Sequence, residues 1–284
     1  MRMSGPAPAK LNLVLEVLGR RADGYHELRS VMQTRALADD VTIDHNSDAP
    51  GITVSGDYAA GTPIDGTNLA WRAADALATA AGQEIANLRI SIEKRLPPAG
   101  GVGGGASDAA TTLRLLADAW QISDRQLLLE IANAIGSDEA FFLTGGTALV
   151  SGRGDRVQAL PPIPPRDVVL FVPRGSIANK TGNLFEALGT TPFDDGSAAE
   201  RFVRLHPRPI GVDDLFNAFE RVAYGQFPEL PQLKASIQAA IASPVRLAGA
   251  GPTLFWIGAP GGGPAIAAAA RGFPCDVILT RTAN

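Results

Sequence analysis
The chain has 284 residues, 25 Lys and Arg against 29 Asp and Glu, and a formal charge of −4, a balance that speaks against a dedicated nucleic-acid binder, which carries a basic excess. Hydrophobic residues make up 45% and charged residues 19%, which suits a folded core and excludes a disordered chain. A single cysteine, Cys275, excludes an internal disulfide and a cysteine zinc site. No apolar run nears the ~18 residues of a membrane span, and Met1 to Pro6 lack the apolar centre of a signal peptide. The expectation is a soluble, cytoplasmic protein with neither nucleic-acid nor membrane partners. The length suits two domains.

Residues 10–18 alternate, with Leu11, Leu13, Leu15 and Val17 on one face, so they read as a strand that turns Lys10 and Asn12 together to the other. Short strands are expected at 41–43 and 52–54. Asn68 opens a helix that Gly82 closes, and 88–94 alternate again. From Ala106 onward, Ala109, Leu113, Leu116 and Trp120 keep a helical period. Ser123, with Gln126 three residues on, reads as a capping box for a helix ending at Gly136. Alternating residues from Thr147 to Leu160 precede the run Leu160-Pro-Pro-Ile-Pro-Pro165, which reads as the domain boundary, giving an N-terminal domain over 1–159 and a C-terminal one over 166–284. Beyond it come a buried strand at 168–172, helices near 213–224 and 230–242, a Gly-rich element at 249–251 leading into a strand, a helix at 264–271 and a strand at 276–280.

The most informative stretch is Leu96-Pro-Pro-Ala-Gly-Gly-Val-Gly-Gly-Gly-Ala-Ser-Asp108. Glycines directly ahead of a helix leave backbone N–H groups exposed at its positive end, a site for an anion, phosphate above all. A Walker A loop needs Gly-Lys-Ser/Thr, and here Gly105 is followed by Ala106-Ser107. A dinucleotide fingerprint fits as Gly101-x-Gly103-x-x-Ala106, but that motif follows its strand directly, whereas Glu93 to Pro98 intervene here. A plain Gly-rich turn between strand and helix is the alternative without a ligand.

The loop resembles the phosphate-binding motif of the GHMP kinases (galactokinase, homoserine kinase, mevalonate kinase and phosphomevalonate kinase). Two further stretches match that family in order: Pro8-Ala-Lys-Leu-Asn-Leu13, and Leu247-Ala-Gly-Ala-Gly-Pro-Thr-Leu-Phe255. Arg21-Ala-Asp-Gly-Tyr-His-Glu27 is similar to the segment of those members whose substrate carries cytidine. The resemblance implies an α+β fold of two domains, the N-terminal one like domain 2 of ribosomal protein S5 and the C-terminal one ferredoxin-like. It implies ATP as co-substrate, Mg²⁺ with it, and a cytidine diphosphate-linked methylerythritol as the small-molecule substrate; no dedicated metal cluster is visible in the sequence.

Carried over by position, the resemblance implies Asp138 as the base and Lys10 as its electrostatic partner. Asn12, Tyr25, His26, Met32, Thr181 and Phe185 would bind the substrate, Tyr25 by stacking on cytosine and His26 by hydrogen bonds to its edge. Asn68, an N-cap on sequence grounds, would also meet the nucleotide. Lys94, Pro98, Ala99, Gly100, Gly101, Val102, Gly103, Gly104, Gly105, Ala106, Ser107 and Asp108 would form the ATP side, with the Ser107 hydroxyl near phosphate or Mg²⁺. The chain departs from the family pattern at several of these places: Met32 stands where an aromatic is common, Ala106 where a serine is, and Glu139-Ala140 where Val-Pro is usual. The third motif has Ala250 for serine, and Lys180 stands for proline. Other readings are a GHMP kinase for mevalonate, homoserine or a sugar, and a nucleotide-binding regulator without catalysis.

Overall fold
Alternation in the N-terminal sequence runs on well past the predicted strand: β1 covers Arg2–Arg20 and β2 His26–Asp44. A turn joins them in which the Arg21 N–H donates to the Tyr25 carbonyl at 2.8 Å. The computed structural model describes residues 2–174, 180–189 and 192–283. These form two units, one of Met1–Ala9, Leu37–Pro98 and Gly103–Thr144, the other of Lys10–Ala36, Ala99–Val102 and Gly145–Asn284. Both long strands therefore contribute to each unit.

In the first unit, β3 (Gly51–Ser55) lies parallel to β4 (Arg89–Glu93), which pairs antiparallel with the end of β2, Val41 opposite Ile92. Four helices follow the same unit: α1 (Leu69–Ala81), α2 (Gly104–Ala119), α3 (Arg125–Ile135) and α4 (Glu139–Thr144). Helix α1 buries Ala70, Ala73, Ala74, Leu77 and Ala78, a stripe at helical spacing whose small side chains let α2 approach closely. Asn68 caps it by accepting the Ala70 N–H at 2.9 Å, and Gly82 ends it with φ +63°. Ile43, Ile90, Leu77 and Leu113 lie in the same buried cluster. Asp124, rather than the predicted Ser123, caps α3 by accepting the Leu127 N–H at 3.1 Å; a carboxylate at that end also meets the helix dipole.

The second unit keeps the later half of β1, the first half of β2, and β5 (Thr147–Gly152) paired with β6 (Arg156–Leu160) and with β2, Met32 opposite Ala148. A second sheet has the order β11-β7-β10-β9, from Cys275–Arg281, Asp167–Pro173, Leu254–Gly258 and Arg246–Leu247. Its β7 buries Val168 to Phe171 completely, as a continuous apolar run in a central strand requires. The prolines of 161–165 connect β6 to β7 within this unit.

The helix expected near 213–224 is instead a 3₁₀ turn (Val212–Asp214), a two-residue strand β8 (Phe216–Asn217) and α7 (Glu220–Gln226). Asn217 is the reason. Its amide donates to the carbonyls of Leu247 and Gly249 at 2.9 and 2.8 Å, and β8 pairs parallel with β1, Val14 opposite Phe216. Helix α5 (Lys180–Leu188) precedes α6 (Ser197–Leu205), which the sequence pattern did not reveal. The start of α6 rests on Glu16 of β1, whose buried carboxylate accepts the N–H groups of Ala198 and Ala199. Helices α8 (Leu230–Ile241) and α9 (Gly263–Ala269) complete the unit.

Arg35 of β2 is 1% exposed, and its three guanidinium nitrogens meet no hydrogen-bond partner among the described residues. Burial pushes its pKa down to about 9. A buried cation without a partner carries an uncompensated desolvation cost. Arg35→Leu is therefore expected to stabilise the fold by on the order of 2–4 kcal/mol in denaturant unfolding. The folded state binds this proton more weakly than the unfolded chain, so the penalty is complete below pH 9 and fades above it. An unchanged or lower midpoint in the variant would contradict this reading of Arg35.

Candidate active site
The glycine loop begins in a buried charge cluster of the first unit. The Lys94 ammonium donates to Asp39 and, at 2.7 Å, to Asp108. Asp39 also accepts the N–H groups of Arg95 and Leu96 at 2.5 and 2.7 Å, which fixes the chain just ahead of Pro97-Pro98. All three side chains are nearly inaccessible, at 3% for Lys94, 0% for Asp39 and 3% for Asp108. Burial opposes the Lys94 charge, but Asp108 and Asp39 outweigh it and hold the ammonium above its usual range. Burial raises Asp108 to about 7, with Lys94 pulling the other way. A Cβ on Gly104 would sit 3.2 Å from the Lys94 Nζ, so the glycine makes room for the ammonium. Helix α2 starts beyond Gly103 without a side-chain cap; its first N–H groups keep their hydrogens available for an anion. Two oxygens nearby, Ser107 Oγ and Asp108 Oδ1, are buried without a partner among the described residues.

In the second unit, residues 99–102 pack on the third glycine motif. A Cβ on Gly101 would fall 2.0 Å from the Ala248 carbonyl oxygen, and one on Gly249 2.7 Å from that of Gly101. Gly101 (φ +83°), Gly249 (φ +50°) and Gly251 (φ +67°) all use the left-handed region. Two motifs far apart in sequence thus meet backbone to backbone, and Asn217 ties the second of them to β8. Gly101→Ala is expected to destabilise the fold by on the order of 2 kcal/mol, since backbone against backbone cannot give way. Denaturant unfolding with an unchanged midpoint would contradict that close approach.

The same unit carries most of the residues assigned to the substrate. Lys10 and Asn12 share one face of β1 as the alternation predicts, both buried. Lys10 Nζ donates to Asn12 Oδ1 at 2.8 Å, Asn12 Nδ2 to Ser30 Oγ at 2.8 Å, and Ser30 Oγ to the Val14 carbonyl at 2.6 Å. The Lys10 N–H donates to the Val102 carbonyl at 2.9 Å, which links this strand to the glycine loop. His26 stacks on Phe185 with ring centroids 4.6 Å apart and planes 15° apart. Burial, then the charge of Arg20, lowers its pKa and favours the neutral ring. Tyr25 is half exposed beneath the Arg153 guanidinium, 5.0 Å from its ring. Met32 is buried opposite Ala148. Thr181 lies in the first turn of α5, with its side chain outside the described residues.

Asp138 belongs to the first unit, one residue before α4. Its N–H donates to Glu139 Oε2 at 3.1 Å. Asn68 spends its amide locally, donating to the Pro63 carbonyl at 2.7 Å and accepting from Ala70. No group of three metal-ligating side chains occurs among the described residues, and no helix there is long and apolar enough to cross a membrane.

A family model described as the GHMP kinases N terminal domain matches residues 68–146. A 4-diphosphocytidyl-2-C-methyl-D-erythritol kinase of Dehalococcoides mccartyi is 37% identical over 252 residues, 88% of this chain and 87% of the relative. A protein of the same name from Pelotomaculum thermopropionicum is 36% identical over 289 residues, 100% of this chain and 99% of its own. The chain belongs to this family of GHMP kinases. A crystal structure of 4-(cytidine 5'-diphospho)-2C-methyl-D-erythritol kinase, 31% identical, matches it with a TM-score of 0.77, covering 99% of this chain and 100% of that one. Its architecture is accordingly the two-domain α+β fold of the GHMP kinases.

Several residues of this GHMP kinase site escape sequence reasoning. Asp39 gives a weak signal, one of two adjacent carboxylates within β2, because its partner Lys94 lies 55 residues away. Asn217 stands as a lone amide between Phe216 and Ala218. Arg153 offers only its place in a Gly-Arg-Gly turn between β5 and β6.

Proposed function
We propose that the chain transfers the γ-phosphate of ATP to the 2-hydroxyl of 4-diphosphocytidyl-2-C-methyl-D-erythritol, a step in making isoprenoid precursors by the non-mevalonate route, and works in the cytoplasm. The observation that carries this reading is identity of 36–37% to kinases of that name across 88–100% of the chain. The residues supply the chemistry. Asp138 accepts the proton of the hydroxyl as its oxygen forms a bond to the γ-phosphorus; the bond from that phosphorus to the β–γ bridging oxygen breaks, and ADP leaves. Lys10, held by Asn12, places a positive charge to steady the transferring group. The loop from Pro98 to Gly105 and the open start of α2 cradle the phosphates, while the Lys94 cluster fixes the chain at Arg95 and Leu96.

Tyr25 and His26 take the cytidine in this reading, with Phe185, Thr181 and Met32 lining the substrate. Asn68 shapes the nucleotide side through its helix cap. Mg²⁺ bound with the triphosphate would neutralise part of its charge. Ser107, whose buried hydroxyl has no partner among the described residues, is the group that would hold it. The test is ADP release with MgATP and, in turn, the cytidyl substrate, mevalonate and homoserine. Turnover of the cytidyl substrate alone is expected. Turnover of another alcohol would keep the kinase and remove the roles of Tyr25 and His26, and ATP binding without any turnover would favour the regulator.

A further inference from the structure
Glu139 is a buried carboxyl beside Asp138 that the proposed reaction does not otherwise use. It is 2% exposed and opens α4. Its side chain folds back over the turn that carries Asp138: Oε2 accepts the Asp138 N–H at 3.1 Å, and lies 2.5 Å from where a Cβ on Gly136 would be. Only a glycine at 136 leaves room for it. We infer that Glu139 is a positioning residue for Asp138, holding its peptide and, once ionised, setting a negative charge beside it. The inference rests on Asp138 being the base.

The electrostatics agree with that placement. Burial first, and the Asp138 charge with it, raise Glu139 to about 7 against the pull of its own and the Asp138 N–H groups and of Arg72 of α1. Of the charged groups on the other helices packed against α4, Arg125 of α3 donates to Thr144 Oγ1 at the end of α4 itself; Asp108 of α2 pairs with Lys94, Arg114 of α2 reaches the Pro6 carbonyl beside Asp118, and Glu130 of α3 accepts from Gln126. A buried acid that changes charge beside a catalytic carboxylate adds its own ionisation to the rate profile.

The experiment is the pH dependence of kcat and KM between pH 5.5 and 8.5, at saturating MgATP, for wild type, Glu139→Gln and Glu139→Val, with Asp138→Asn alongside. Wild-type kcat is expected to rise about threefold through an inflection near pH 7 as Glu139 ionises. Glu139→Gln keeps an acceptor for the Asp138 N–H and loses the charge, so the inflection disappears with KM unchanged. Glu139→Val loses both and is slower at every pH. A Glu139→Gln profile superposing on wild type would overturn the inference, as would an inflection that survives in Glu139→Val, for then the side chain serves the turn alone. Asp138→Asn separates the two levels of the argument: full activity there removes the base itself, whereas an inactive Asp138→Asn with an unaltered Glu139→Gln removes only the role of Glu139. Thermal unfolding of each variant shows that the comparison is made on folded protein.

Discussion

Asp138→Asn is expected to lower kcat by about 10²–10⁴-fold with little change in KM, the range over which a positioned proton acceptor contributes. Asparagine keeps the shape of the side chain and leaves the main-chain hydrogen bond from residue 138 to Glu139 in place, so the local turn survives and only the acceptor is lost. The size of the fall is informative. Phosphoryl transfer passes through a loose transition state in which positioning and charge stabilisation do most of the work. A loss below about tenfold would mean that the alcohol gives up its proton late, to solvent or phosphate, and that Asp138 only orients it. Turnover measured as ADP released, with the cytidyl substrate and MgATP both saturating, separates these outcomes.

Lys94→Met is expected to cost about 3–5 kcal/mol of stability, the penalty for leaving buried charge without its partner. Methionine fills much the same volume, yet it abandons Asp39 and Asp108, two carboxylates already within reach of one ammonium. Asp39 retains the Arg95 and Leu96 N–H groups, whereas Asp108 keeps a buried oxygen, Oδ1, without a partner among the described residues. Asp108 then favours its protonated form. A carboxyl raised in the folded state binds protons more tightly there than in the unfolded chain, so folding weakens as pH climbs from its ordinary range toward the raised value. For Asp108, already at about 7, the variant should lose more stability at pH 8 than at pH 5. Denaturant unfolding at those two values checks both the size and the sign, and equal losses at both would show that the cluster is not held by charge.

The sequence makes some of this architecture plain and hides the rest for physical reasons. Period-two alternation around Lys10 and Asn12 reports which residues share a face, because it depends only on the neighbouring pleat. The glycine loop is visible as a run of glycines ahead of a helix, the pattern of an anion site. What the loop rests on is silent: Gly101 meets the Ala248 carbonyl across nearly 150 residues, and either run of glycines read alone is merely a turn. Long-range capping is equally mute. Glu16 steadies the start of α6 from 182 residues away, so neither segment carries its partner's signature. Near 213–224, helical periodicity misleads because Asn217 takes two carbonyls of the third motif and pulls the chain into a strand; tertiary hydrogen bonds override local propensity there. The family resemblance supplies roles, such as those of Tyr25 and His26, that no spacing expresses.

The most direct measurement of the central proposal is the position of the new phosphate. Product formed from MgATP and 4-diphosphocytidyl-2-C-methyl-D-erythritol is isolated and its phosphorus-to-carbon couplings read by NMR. A single added phosphomonoester on the carbon-2 oxygen, with the cytidine diphosphate linkage intact, is the predicted result. Phosphate on another hydroxyl, a cleaved diphosphate, or ATP hydrolysed with the substrate unchanged would contradict it.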